Sequence, residues 1–335
     1  MTRIGILAAL VWSASSLWPA SECAECHSEI SQKQSASRHA NTLRPFEQSR
    51  LETLLAAPLP GESAFRYAYG PRSVTVRRNS ERATATLEWA FGAGAYGLTA
   101  VGRLDGLYYE HRVSYFSVPE KPGVTPGHPP ASPRTAAEAL GVLKLPQDIY
   151  QCFNCHATGL VEDIDGGPNL SKMTTGVTCE RCHGPGEKHI AAARAKQPAP
   201  VIRKAMFNSA RLPAKASVEV CGGCHRLPEP GKQSLTPEAV DPISVRFQPM
   251  GLMASRCFRE SKNLSCTTCH DPHQDAVRQS ADFYITKCVT CHPQTTTRIV
   301  DCKRKERQDC TGCHMRKATP LPYLTFTDHR IRIYR

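Results

Sequence analysis

Fourteen of the 16 cysteines fall in seven Cys-x-x-Cys pairs, and a histidine follows every pair at once: CAECH (23–27), CFNCH (152–156), CERCH (179–183), CGGCH (221–225), CTTCH (266–270), CVTCH (288–292) and CTGCH (310–314). No other feature constrains the fold so strongly. Two thiols three residues apart can each add to a vinyl group on one porphyrin edge, and the next residue can turn its imidazole onto the iron, so the pattern is that of c-type haem attachment. Tandem zinc ribbons use Cys-x-x-Cys pairs as well, and secreted frameworks use paired cysteines as disulfides. Neither explains a histidine after all seven pairs.

On this reading Cys23, Cys26, Cys152, Cys155, Cys179, Cys182, Cys221, Cys224, Cys266, Cys269, Cys288, Cys291, Cys310 and Cys313 are thioether anchors for seven covalent haem c groups. The proximal iron ligands are His27, His156, His183, His225, His270, His292 and His314. A hydrophobic fraction of 40% with only 7% aromatics is modest for 335 residues, as expected if cofactors fill part of the interior. The 26 prolines and 22 glycines favour loops and short helices. The net charge of +12 would by itself suggest an anionic partner such as nucleic acid. Haem propionates account for much of the Lys/Arg excess instead, so no nucleic-acid binding is expected.

The motifs divide the chain unevenly. Residues 1–20 have the layout of a secretory signal, with Arg3, an apolar run and small residues before cleavage after Ser16 or Ala20. Residues 21–63 form the first haem segment. Alternating β-branched and aromatic stretches such as FRYAYG, SVTVRRN and LYYEHRVSYFSV, broken by turn signals, predict an antiparallel β unit near residues 64–118. A proline-rich loop follows, completing a segment 64–134. Residues 135–335 are expected to hold six haems on short α-helices and loops wrapped around stacked macrocycles. Candidate helices are SPRTAAEALGVLK, with Ser132 as cap and Pro133 at the first helical position, and EKHIAAARAK.

Seven irons need seven sixth ligands for full coordination, and only six of the 13 histidines are left: His39, His111, His128, His189, His273 and His329. At least one iron must therefore take another ligand or stay open. His273 lies three residues after His270, a reach of roughly 10 Å at full extension. The chain cannot pass around the porphyrin rim in that length, so His273 serves a neighbouring haem if it serves any, and the same holds for His189 after His183. His111, in a strand-like stretch, is expected to face solvent. Met250 and Met253 are further ligand candidates, although most methionines pack. Cys257 and Cys302, outside the motifs, are expected to form a disulfide, with a thiolate ligand as the alternative.

CERCHGPGEKH, SRCFRESKNLSCTTCHDPH, DCTGCHM and FTDHRI, preceded by SECAECH…SRHA and TPGH…CFNCH, resemble secreted multihaem c-type cytochromes. That group contains the tetrahaem electron-acceptor cytochromes of nitrification, pentahaem nitrite reductases and octahaem hydroxylamine oxidoreductases. The resemblance covers most of the chain from residue 21 and is weakest in the β unit. It implies distal ligation of other haems by His189 and His273, and favours the same role for His39, His128 and His329. The chain departs from the ammonia-forming nitrite reductases in having no Cys-x-x-Cys-Lys, and from the hydroxylamine oxidoreductases in having no eighth motif.

The function expected is electron transfer between redox partner proteins outside the cytoplasm, periplasmic or extracellular, with no stable membrane span in the mature protein. The alternative is a haem oxidoreductase that acts on a small nitrogen or sulfur oxide at an iron lacking a sixth histidine.

Overall fold

The computed structural model describes residues 20–57, 59, 61, 64–228, 242–277, 279–292 and 309–334. The expected signal segment, except Ala20, lies outside the described residues, as does Cys302. Within them the chain is a mixed fold of short helices and small antiparallel sheets. No described helix is long and apolar enough to cross a membrane.

The β unit is larger than the sequence suggests. Strands β1 (Leu43–Pro45), β2 (Arg66–Gly70), β3 (Ser73–Arg78), β4 (Glu81–Thr86), β5 (Trp89–Phe91), β6 (Gly97–Leu104), β7 (Leu107–Phe116), β8 (Lys121–Val124) and β9 (Gly141–Leu143) form two sheets. One has the order β1-β5-β6-β7-β8, with β9 also paired to β7, and the other is the meander β2-β3-β4. The turn from β6 to β7 is made by Asp105 and Gly106, both at positive φ (51° and 81°), which matches the right-handed twist of a hairpin. Period-two patterning buries Val74 and Val76 on β3.

Strand β7 divides the interior. Tyr109 and Val113 join a cluster with Phe46, Leu51, Val74, Val76, Leu87 and Leu140. Tyr108 joins another with Leu43, Phe91, Val101, Ile149 and Phe153. The second cluster matters for function. Helix Pro146–His156 lays Ile149 and Phe153 on the sheet and thereby fixes the second motif, Cys152 to His156, against a rigid surface.

Three expectations need correction. His111 is fully buried rather than solvent-facing, because β7 has neighbours on both edges and both faces covered. Its Nδ1 meets the Leu140 carbonyl at 2.7 Å and its Nε2 meets the Tyr69 hydroxyl at 3.0 Å. The helix expected from Ser132 is Ala136–Leu140, capped by Thr135, whose hydroxyl accepts the Glu138 N–H at 3.1 Å. The proline-rich loop contributes a strand, β8, and the buried Arg112 donates to the carbonyls of Pro129 and Ala131 in its remainder.

Beyond residue 144 the backbone runs through short helices, including Glu187–Arg194, Ala214–His225, Gln248–Ala254 and Ala281–Val289, and small hairpins such as Lys317–Leu321 with Leu324–Thr327. Glu187–Arg194 lies within the expected EKHIAAARAK helix.

Candidate haem-binding sites

All seven motifs adopt one local geometry. Four end a helix on their histidine: Pro146–His156, Cys179–His183, Ala214–His225 and Cys310–His314. In the other three the histidine N–H bonds the carbonyl of the first cysteine four residues back, at 2.8 Å for His27, 3.0 Å for His270 and 2.9 Å for His292. One helical turn places residues i, i+3 and i+4 on the same face. Both sulfurs and the imidazole of each motif therefore point to one side, as attachment to one macrocycle requires.

Sulfurs of different motifs also meet. Cys23 hydrogen-bonds Cys179, Cys155 bonds Cys224, Cys221 bonds Cys266, and Cys288 bonds Cys310. These contacts lower the Cys224 and Cys221 thiols and raise those of Cys155 and Cys266. As thioethers the sulfurs no longer titrate, so the contacts matter as geometry. Cys182 lies within electrostatic reach of Cys221 and Cys224, and Cys288 within reach of Cys269. The seven motifs thus form one connected network, in which the fourth bonds the second and fifth and lies near the third.

The histidines pair across motifs. Ring centroids are 6.1 Å apart for His27 and His189, 6.0 Å for His39 and His225, 6.1 Å for His183 and His273, and 6.2 Å for His270 and His329. Face-to-face ring contact is much closer than this. Two metal–imidazole bonds of about 2 Å, together with the offset from each nitrogen to its ring centre, give roughly 6.4 Å. The four gaps therefore fit an iron held between two imidazoles. No described group of three or more His, Cys, Asp and Glu could hold a bare metal ion, so a zinc-ribbon arrangement finds no match among the described residues.

The nitrogens are oriented for this. Nδ1 of His183 meets the Phe207 carbonyl at 2.9 Å, His189 that of Ile202 at 2.9 Å, His329 that of Thr327 at 3.0 Å, and His314 that of Arg332 at 3.0 Å. His156 Nδ1 lies 2.7 Å from the Thr42 hydroxyl and 3.1 Å from its carbonyl. His273 differs, for its Nδ1 meets a carboxylate oxygen of Asp271 at 3.0 Å. A donor bond at Nδ1 leaves Nε2 bare and aimed, the usual arrangement of a ligating histidine. Burial lowers the pKa of His156, His225, His270 and His329, which keeps them in the neutral form that binds metal. Sequence reading misses these orienting groups, because most are backbone carbonyls, which carry no sequence signal; the side chains of Thr42 and of Asp271, in CHDPH, are the exceptions.

The remaining candidates lie elsewhere. His128 is buried, but the structure does not bring it to a proximal histidine ring. Its Nε2 is 3.2 Å from Glu110, a residue of β7 that also pairs with Lys144 at 2.9 Å, and its Nδ1 has no partner among the described residues. The turn from Thr125 to His128, closed by a 3.1 Å backbone bond, sets it there. Met250 is buried, and Met253 packs beside Val218, Leu252 and Phe258. Cys257 is half-buried, and its expected partner Cys302 is not among the described residues. His156, His292 and His314 have no histidine ring partner among the described residues, whose rings include all 13 histidines.

The sequence profile of the family described as cytochrome c554 and c-prime matches residues 132–184, which contain the second and third motifs. Among solved structures, that of outer cell wall cytochrome OcwA superposes with a TM-score of 0.50 over 93% of this chain and 78% of its own, at 15% identity. Likeness at that identity is likeness of fold. No curated protein matches the sequence significantly. The profile match covers the second and third motifs and agrees with covalent haem c attachment there.

Proposed function

We propose that the chain binds seven haems and passes electrons between redox partner proteins outside the cytoplasm. The observation that carries this reading is the set of four cross-motif histidine pairs at 6.0–6.2 Å. Each bound haem supplies a reversible one-electron ferric/ferrous couple. Everything else is the work of the chain. The motif cysteines anchor each ring edge, and the proximal histidines approach from the same helical turn. His189, His39, His273 and His329 would hold the iron from the other side at the first, fourth, third and fifth motifs. An iron held by both histidines of a pair would have no position left for substrate, so residues arranged this way favour electron passage over bond chemistry. The sulfur contacts give a route with a branch at the fourth motif: first, third, fourth, with the second beside it, then fifth, sixth and seventh. Action outside the cytoplasm is supported by the secretory layout of residues 1–20 and by the kind of protein OcwA is named to be. The test is intact mass with rapid-mixing reduction. Seven haems that all become reduced under an excess of strong reductant are expected; fewer than seven, or a subset that stays oxidised under that excess, would overturn it.

A second reading rests on His156, His292 and His314. With His111 and His128 engaged inside the β unit, these three proximal histidines have no histidine opposite. An iron held from one side only offers the open position that chemistry on a small nitrogen or sulfur oxide requires. Binding of nitrite or carbon monoxide to the fully assembled protein tests this, and a wholly low-spin protein inert to both would exclude it.

A further inference from the structure

We propose that Asp271 is a positioning residue that locks His273 onto the iron shared with His183 and makes that iron the low-potential centre of the chain. The inference rests on the pairing of His183 with His273 put forward above. Among the described residues, this is the pair in which the Nδ1 atoms of both rings meet an acceptor, the Phe207 carbonyl on one side and an Asp271 carboxylate oxygen on the other, and the ring planes lie within 1° of each other.

The same Asp271 oxygen accepts the backbone N–H of His273 at 3.0 Å, so side chain and main chain are held by one atom. That double contact fixes the ring rotation without help from a long element, in a segment where His273 is only partly buried. Among the described residues, His183, His189 and His329 use neutral carbonyls, those of Phe207, Ile202 and Thr327, and His225 meets the neutral Gln248 side chain. A carboxylate draws the Nδ1 proton more strongly than a carbonyl and raises the donor power of Nε2. Stronger donation favours ferric over ferrous iron, which lowers the potential. In the route proposed above, the third motif lies between the first and fourth, so a low-potential centre there is an uphill step that electrons crossing between those two must take.

The experiment is an optical redox titration of the assembled protein and its Asp271→Asn variant, with electron paramagnetic resonance on both. Asparagine keeps an acceptor oxygen and removes the charge. Asp275→Asn is the control, since Asp275 removes a charge nearby but bonds Arg38 rather than a histidine. One low-potential transition should move upward in Asp271→Asn with every low-spin signal retained, and should move much less in Asp275→Asn. No shift, or an equal shift in both variants, would overturn the role of Asp271. His273→Ala separately tests the pairing: loss of one low-spin haem supports it, and an unchanged spectrum removes the premise itself.

Discussion

Gly176 stands where backbone conformation and ligand placement meet, and replacing it by alanine should uncouple one histidine pair. Its φ is +80°, a left-handed conformation that costs an L-residue about 1–2 kcal/mol. A Cβ there would lie 2.0 Å from the Ala40 carbonyl oxygen and 2.8 Å from its carbon, both backbone atoms that no rotamer change can move. Relief of that kind of overlap costs about 1–3 kcal/mol. Gly176 cannot itself retreat, because its N–H bonds the His156 carbonyl at 3.0 Å and its carbonyl accepts the Thr158 hydroxyl at 3.0 Å. The shift therefore falls on residues 37–41, where the His39 carbonyl accepts the Val177 N–H at 2.9 Å and the His39 ring faces His225. Gly176→Ala should lose about 2–5 kcal/mol and convert one low-spin haem to high spin. Gly94→Ala is the comparison: φ is +78° with nothing within 4 Å of the added carbon, so only the conformational cost of about 1–2 kcal/mol applies and spin state is unaltered. Thermal unfolding and electron paramagnetic resonance measure both. If Gly176→Ala matches Gly94→Ala in stability and keeps every low-spin signal, the docking of His39 through residues 176 and 177 is wrong.

His189→Ala should leave His27 without its partner and produce one high-spin haem that binds carbon monoxide, seen as a new ferrous–carbonyl band; absence of that band would remove His189 from the coordination set. Burial brings the pKa of His111 down to about 4, against an ordinary value near 6.5. Between those values the unfolded chain takes up a proton that the folded chain refuses. The contribution is therefore complete above about pH 6.5, declines as the pH falls, and has cost about 3 kcal/mol by pH 4. His111→Gln should flatten the acid side of the melting-temperature profile relative to the parent, and identical slopes would count against the assignment.

The haem-binding turns were legible because their signal is local: Cys, Cys and His at i, i+3 and i+4 specify both a helical face and a chemistry. The hairpin at Asp105 and Gly106 and the alternation at Val74 and Val76 were legible for the same reason. Strand β7 was misread at His111 because nearly all of it is buried, so alternation cannot say which residues face water. What satisfies His111, the Tyr69 hydroxyl and the Leu140 carbonyl, comes from distant parts of the chain. Strands β1 and β9 have three residues each, too few to show any period, and exist because β5 and β7 offer edges to them. The start of helix Ala136–Leu140 was available in Thr135-x-x-Glu138, a capping pattern that the nearby Ser132–Pro133 obscured. Which histidine faces which motif is tertiary information, and sequence spacing could say only that His189 and His273 serve haems other than their own.

The histidine pairs also determine how the two parts of the chain depend on the cofactor. Each pair joins segments far apart in sequence, and they interlock: His27 and His39 tie the N-terminal segment to the regions of His189 and His225, while His183 with His273 and His270 with His329 carry the link to the C-terminus. Direct protein contacts across these joints include Arg38 with Asp275 and Arg194 with Glu22 and Glu25, which are at least partly exposed. Ion pairs of that kind contribute about 0–1 kcal/mol each. Closing loops of this length costs several times RT, so on the ligation proposed above the histidine pairs would supply much of what holds the described residues beyond 152 together. The β unit instead has its own apolar interior, from Phe46 and Leu51 through Val74, Leu87 and Val113 to Leu140. Protein made without haem attachment should therefore resist limited proteolysis between residues 43 and 143 and be cut readily at sites from 152 onward, whereas the haem-loaded protein should resist in both parts. Equal protection of the two parts in the haem-free chain would mean that packing among the short helices, and not ligation, closes the fold.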